Sequence, residues 1–316
     1  MSTANVSCYQ DNYIPVIVGS GRSGTTWVQD VLAKSNNYRT AFEPLHLQAV
    51  PSMSLYACKY LSDNDDSESL KKYLNNVFLG QISNIWVNYR VRPDRLHLSG
   101  ELLIKPRKLY EYFRRVRKLI RHYLRYREDE NKPVLTKFIR ANLMIKWMTK
   151  KLNVKVLFVV RHPAAVIESK IRLGGDDWDP GTSILRYTRQ QRLYKNYLYK
   201  HEALFAKKYS EAGKHAIIWC IENQCISEMS GNEQIQICFY ENLITHPERE
   251  WLNICDFFGF KNTPGQSLCT QASQQARPER VKTGYSADQL SSWVSKLTEH
   301  ELKEIQEVLD NFGIHC

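Results

Sequence analysis

Apolar residues along this chain gather in short runs separated by stretches of helical spacing. Ile14 to Val18 and Val156 to Val160 read as buried strands, with Leu135 to Phe138 and Ile235 to Phe239 as further short ones. After the first run, Trp27, Val28, Val31 and Leu32 recur as one face of a helix over Thr25 to Ser35. Further helices are predicted at about Leu70–Val87, Ala141–Leu152, Pro163–Leu173, Ser183–Ser210, His215–Met229, Pro247–Phe258 and Thr298–Asn311. The segment from Gly174 to Gly181 is dense in turn formers. Strands alternating with helices imply a parallel sheet covered on both faces. Such sheets bind ligands beyond the carboxyl ends of their strands.

Two turns at such ends carry the chemistry. The first is Gly19-Ser20-Gly21-Arg22-Ser23-Gly24-Thr25-Thr26-Trp27, between strand and helix. Glycines let backbone wrap an anion, and free N–H groups at the helix start point at it. Gly19 and Gly24 keep the spacing of a nucleotide-hydrolase loop, but Thr25-Thr26 stands where Lys-Ser/Thr should follow. The lysine that reaches β- and γ-phosphates is missing. A donor with one 5′-phosphate and a different transferable group fits better than a triphosphate. The second turn is Arg161-His162-Pro163, followed by a helix carrying Ser169. An arginine at a strand end and a serine two turns into the next helix can converge on one phosphate. Together the two turns call for a ligand with two separate phosphates.

This pairing resembles the sulfotransferases that use 3′-phosphoadenosine 5′-phosphosulfate (PAPS). Gly21 to Trp27 looks like their 5′-phosphosulfate loop, and Arg161 to Ser169 like their 3′-phosphate motif. Phe42-Glu43-Pro44-Leu45-His46 is similar to the Glu-Pro segment of Golgi and bacterial carbohydrate sulfotransferases. Phe239 to Leu243, then Pro247 and Cys255 to Gly259, resembles the family's Tyr-Glu-Asp-Leu strand end and following helix. Val281 to Gly284, Trp293 and a terminal helix resemble its C-terminal cofactor loop. The matches run in family order from about Ile14 to Phe312.

The resemblance implies a P-loop-like three-layer α/β fold, with a central parallel sheet flanked by helices, in a single domain over 1–316. A mostly helical insertion at about 51–132 would shape the acceptor side. It implies that Arg22, Ser23, Gly24, Thr25 and Thr26 cradle the phosphosulfate and that Arg161 and Ser169 hold the 3′-phosphate. Arg280, Lys282, Thr283 and Gly284 would complete that site. Trp27 is placed against adenine, the alternative being a core tryptophan. Glu43 is the expected base, with His46 as runner-up because an unperturbed imidazole titrates near neutral pH. Pro44 is expected to restrict Glu43 to extended backbone. Lys137 matches a lysine on the donor's leaving side. No metal is called for. The expected reaction moves a sulfuryl group to a hydroxyl, less readily an amine, of a specialised metabolite or a glycan, and releases adenosine 3′,5′-bisphosphate.

Composition adds bounds. The 316 residues are 43% hydrophobic, enough for a sizeable core. No apolar run approaches the ~18–20 residues needed to span a membrane. The polar start from Met1 to Tyr13 predicts no signal peptide, and a cytoplasmic location is expected. Eight scattered cysteines without a C-x-x-C read as reduced thiols. The net charge of +11 exceeds what a donor site needs. Much of it lies in Lys105–Arg127, an amphipathic basic helix. That helix supports a non-enzymatic alternative, contact with a polyanion or a membrane surface, with no specific nucleic-acid target. The enzymatic alternative is a nucleotide kinase. Neither alternative explains the Arg161/Ser169 motif.

Overall fold

The computed structural model of the chain describes residues 13–82, 87, 132–224, 226–229, 231–271 and 288–315. The basic helix expected at 105–127 and the loop carrying Arg280, Lys282, Thr283 and Gly284 lie outside the described residues. Five strands form one parallel sheet. They are β1 (Ile14–Gly19), β2 (Arg39–Phe42), β3 (Val134–Phe138), β4 (Val154–Val160) and β5 (Ile235–Phe239), in spatial order β2-β3-β1-β4-β5.

The sheet is buried on both faces, which is why its central strands read as continuous apolar runs. Alternation splits β1 between two cores. Ile17 packs with Trp27, Val28, Val31 and Leu32 of helix α1 (Thr25–Ser35) and with Trp251 and Ile254. Val16 and Val18 face the opposite cluster with Phe138, Met144 and Trp147. Gln29 of α1 ties β2 and β3 to this frame. Its side-chain amide donates to the carbonyls of Ala41 (2.9 Å) and Leu135 (2.8 Å).

After β2 comes helix α2 (Glu68–Phe78); after β3, α3 (Ile145–Lys151); after β4, α4 (Pro163–Leu173), α5 (Pro180–Thr188) and α6 (Glu211–Asn223). Helix α6 is buried at nearly every position, including the polar His215, Glu222 and Asn223. After β5 come α7 (Tyr240–Thr245), α8 (Pro247–Phe258) and, near the C-terminus, α9 (Glu299–Asn311). Thr298 caps α9 through a reciprocal capping box with Glu301.

Three sequence expectations need correction. The helix predicted to reach Val87 ends at Phe78, where Gly80 turns left-handed (φ 68°). The long helix expected over Ser183–Ser210 is interrupted at Gln190, which adopts an extended backbone. Its side-chain amide is diverted to the 58–60 segment, accepting from Tyr60 N (2.8 Å) and donating to the Cys58 carbonyl (3.0 Å). Strand β2 was not expected: four residues on a sheet edge carry too little alternation to stand out.

The order of strands reverses between β1 and β4. The crevice at their carboxyl ends is therefore the topological switch point, where this class of sheet binds ligands. Gly19 pairs with Val159 in register, so the glycine-rich turn and Arg161 open side by side there.

Candidate active site

The glycine-rich turn is shaped for an anion. Gly24 caps α1 in the left-handed conformation (φ 88°), and no side chain caps that helix end. Its first turn of N–H groups is left to a ligand. The hydroxyl of Ser23 is buried and has no hydrogen-bond partner. A Cβ on Gly24 would come within 2.5 Å of the Tyr240 ring, so the glycine is required by packing as well as by φ. These features fit a phosphate-bearing donor. Thr25 is buried and Thr26 half-buried on the same turn.

The second motif meets the first directly. Arg22 Nε donates to Ser169 Oγ (3.0 Å), and Arg161 Nη1 donates to the Arg22 carbonyl (3.2 Å). Arg172 Nη2 reaches the same serine at 3.3 Å. Arg161 lies 4.7 Å over the Tyr240 ring, and its Nε has no partner. Arg22, expected on the 5′ side, also reaches Ser169 with its side chain, so the two motifs meet at this residue. His162 shapes the turn: its N–H is held by Glu241 (3.0 Å) and its ring stacks on Trp293 at 4.7 Å. Burial pushes its pKa below the ordinary imidazole range.

The structure places Trp27 in the core. It is 4% exposed, with its ring edge-on to Tyr240 (5.7 Å) and Trp251 (5.4 Å).

Beside the turn stands a buried charge cluster. Glu43 follows β2, Lys137 lies in β3, and Arg140 follows β3; Phe42 pairs with Lys137 in register. Glu43 accepts from Lys137 Nζ and Arg140 Nη1, both at 2.8 Å, and the three side chains are 2–8% exposed. The Lys137 ammonium also lies 3.7 Å from the Phe42 ring centre. Burial lowers the Lys137 pKa, against the opposing pull of Glu43.

Glu43 is not extended, contrary to the expectation from Pro44. Its φ is 48°, in the left-handed region. Its N–H is fixed by the Lys137 carbonyl (3.1 Å), and its own carbonyl accepts from His46 N (3.0 Å). Together with the two ion pairs, these bonds hold a conformation that costs about 1–3 kcal/mol.

His46 has both ring nitrogens engaged. Nδ1 accepts from the N–H groups of Gln48 and Ala49, both at 3.2 Å, which assigns the neutral proton to Nε2. Nε2 lies 3.5 Å from Asp177, whose other oxygen is 3.6 Å from Arg140. The His46 N–H, with the Arg140 charge, holds the Asp177 carboxyl below its usual range. His46 thus reaches the cluster through Asp177 and Arg140.

Sequence reasoning missed Arg140 and Asp177. The signal for Arg140 was a basic residue just past a buried strand. Asp177 was hidden in the glycine-rich loop. Trp178 of that loop covers Gly21, where an added Cβ would approach its ring to 2.4 Å.

The fold and crevice define an α/β protein with a P-loop-like strand–turn–helix at its switch point. The sulfotransferase domain family matches residues 15–310, and the chain belongs to that family. Membership marks it as a sulfuryl-transferring enzyme. Among solved structures, the sulfotransferase domain of the olefin synthase of Synechococcus PCC 7002 is 18% identical over 98% of both chains, with a TM-score of 0.47. The sulfotransferase domain of the curacin biosynthetic pathway is 16% identical over 96% of this chain and 98% of that one, also at 0.47. A sulfotransferase from Alicyclobacillus acidocaldarius is 12% identical over 96% and 97%, at 0.34. No curated protein matches the chain. The assignment rests on the domain match. Among the described residues, no helix is long and apolar enough to cross a membrane.

Proposed function

We propose that this chain is a PAPS-dependent sulfotransferase acting on a hydroxyl, less readily an amine, of a small specialised metabolite or a glycan. One observation carries this reading: the Arg22–Ser169–Arg161 junction adjoins the Glu43–Lys137–Arg140 cluster at the ends of neighbouring strands. PAPS supplies the sulfuryl group and leaves as adenosine 3′,5′-bisphosphate. The turn from Arg22 to Thr26 would hold its 5′ side, and Arg161 and Ser169 its 3′-phosphate.

Within this reading, Glu43 takes the proton of the acceptor hydroxyl. The acceptor oxygen gains the S–O bond, and the bond to the 5′-phosphate oxygen breaks. Lys137, Arg140 and the turn's N–H groups meet the charge that develops on the transferred group and leaving oxygen. Arg140 and Lys137 also orient Glu43. Asp177 and His46 brace Arg140 from behind. A kinase reading has no lysine after Gly24 to support it. The test is an acceptor screen with sulfur-labelled PAPS. Label in an acceptor, with one adenosine 3′,5′-bisphosphate per label, supports the proposal. Phosphorylation from ATP would replace it.

A further inference from the structure

A small polar cavity lies beside the glycine-rich turn, and the donor chemistry leaves it unused. Its volume is about 30 Å³. Gly21, Arg140 and Asp177 bound it on the catalytic side; Lys170 of α4, Tyr187 of α5, and His215 and Glu222 of α6 bound the rest. His215, Lys170 and Tyr187 are 1–3% exposed. Tyr187 OH donates to one oxygen of Glu222 (2.9 Å). The other oxygen lies 3.7 Å from the Lys170 ammonium and has no hydrogen-bond partner. Neither ring nitrogen of His215 is hydrogen-bonded, and its nearest carboxylate, Glu211, is 3.8 Å away. Buried polar groups without partners are rare unless a ligand or water completes them.

The unsatisfied inventory is specific. Burial, with Lys170 nearby, pushes the His215 pKa down to about 3, so at neutral pH its ring offers one donor and one acceptor. Glu222 offers an acceptor and Lys170 a donor. The Glu222 and Lys170 charges offset each other at this end, while Arg140 and Arg186 stand with Asp177 along the rest of the lining. A carboxylate or sulfate entering here would meet Glu222, and an ammonium would meet Lys170. The complementary group is neutral and both donates and accepts, as a hydroxyl does. The space equals about one water's share of liquid volume, ~30 Å³, which is room for one hydroxyl. Arg186 lines this cavity and also a larger cleft of about 660 Å³ bounded by Tyr60, Asp66 and Gln190. The body of an acceptor has space there.

We propose that His215, Glu222 and Lys170 form a specificity pocket for a second, unreacted hydroxyl of the acceptor. The acceptor class is then a neutral polyol or sugar, and a lone alcohol or phenol is a poor substitute. This inference rests on the sulfuryl-transfer reading above.

The experiment compares matched pairs with labelled PAPS: cis-1,2-cyclohexanediol against cyclohexanol, catechol against phenol, and methyl β-D-glucopyranoside against its 2-deoxy analogue. The expected result is that the member with the extra hydroxyl wins by about tenfold or more in kcat/KM, as sites built to bind a hydroxyl discriminate. Glu222→Gln and His215→Phe should bring the ratio towards one, mainly through KM, and His215→Asn should restore part of it. Adenosine 3′,5′-bisphosphate binding by each variant shows that it has folded. Equal use of both members overturns the inference. So does transfer only to the mono-hydroxyl members, transfer to none by a chain that binds the bisphosphate, or variants that lower Tm without moving the ratio. Loss of bisphosphate binding by the wild-type chain would instead remove the donor reading itself.

Discussion

Replacing Glu43 by Gln keeps the shape of the side chain and removes the charge between two buried cations. Glu43 is 2% exposed and accepts 2.8 Å bonds from both Lys137 and Arg140. Removing one member of a buried pair typically destabilises by about 3–5 kcal/mol. The amide keeps one acceptor oxygen, so the lower end, ~3 kcal/mol, is expected. A domain holding about 5–15 kcal/mol still folds after that loss. Turnover should fall further, by roughly 10²–10⁴-fold, the usual contribution of a general base. The two effects separate by pH. Burial already lowers the Lys137 pKa from its ordinary 10.5, and Glu43 opposes that shift. Without Glu43 the folded pKa drops more. Between the lowered folded value and the unfolded one, the unfolded chain binds more protons, so stability rises with pH there. The stability deficit of Glu43→Gln should therefore shrink as pH is raised towards 10. Adding Lys137→Met should recover much of the melting temperature and none of the turnover. The assays are thermal unfolding from pH 7 to 10 and initial rates with labelled PAPS at saturating donor. A Glu43→Gln protein that melts early but turns over within a few-fold of wild type would make Glu43 a structural carboxylate and end its role as base.

Arg161→Ala should weaken adenosine 3′,5′-bisphosphate binding by about 10–150-fold, the worth of a charge-assisted contact at ~1.5–3 kcal/mol. Calorimetry checks this, and an unchanged Kd would take Arg161 out of the donor site. Gly24→Ala should abolish donor binding, because the position has φ 88° and no space before the Tyr240 ring; a variant with wild-type affinity would show that the turn does not hold the donor. The folded His215 pKa, about 3, lies below its unfolded value of 6.5. Its contribution is full above pH 6.5 and is lost as pH falls towards 3. His215→Phe should remove that part of the acid destabilisation, on the order of a few kcal/mol, as read by denaturant unfolding at pH 4 and pH 7; equal pH slopes in the two proteins would show that His215 does not titrate this way.

The two strand–turn–helix units proposed to hold the donor were legible as structure because they are local. Strand, turn and helix are contiguous at Ile14–Ser35 and again at Val154–Leu173, and the predicted helices Thr25–Ser35 and Pro163–Leu173 match the observed ones end to end. Periodicity and glycine placement suffice there. Arg140 and Asp177 were not legible, because their meaning lies in ion pairs to residues far away in sequence. The left-handed backbone of Glu43 is likewise set by Lys137 and His46 and not by its proline neighbour. Trp27 carried a resemblance to an adenine contact, with a core tryptophan as the alternative, and in the structure its ring packs against Trp251. In sequence, His215 and Glu222 were simply positions in a helix predicted at His215–Met229. Only tertiary burial makes His215 and Glu222 conspicuous.

The most direct measurement is metal-free calorimetric titration of the chain with adenosine 3′,5′-bisphosphate, ATP and adenosine 5′-phosphate in parallel. Filling both phosphate positions should give the bisphosphate the tightest binding by tenfold or more and raise Tm in proportion to its occupancy. Affinity for ATP equal to or above that for the bisphosphate would show that Arg161 and Ser169 do not read a 3′-phosphate, and the chain would not be a PAPS enzyme.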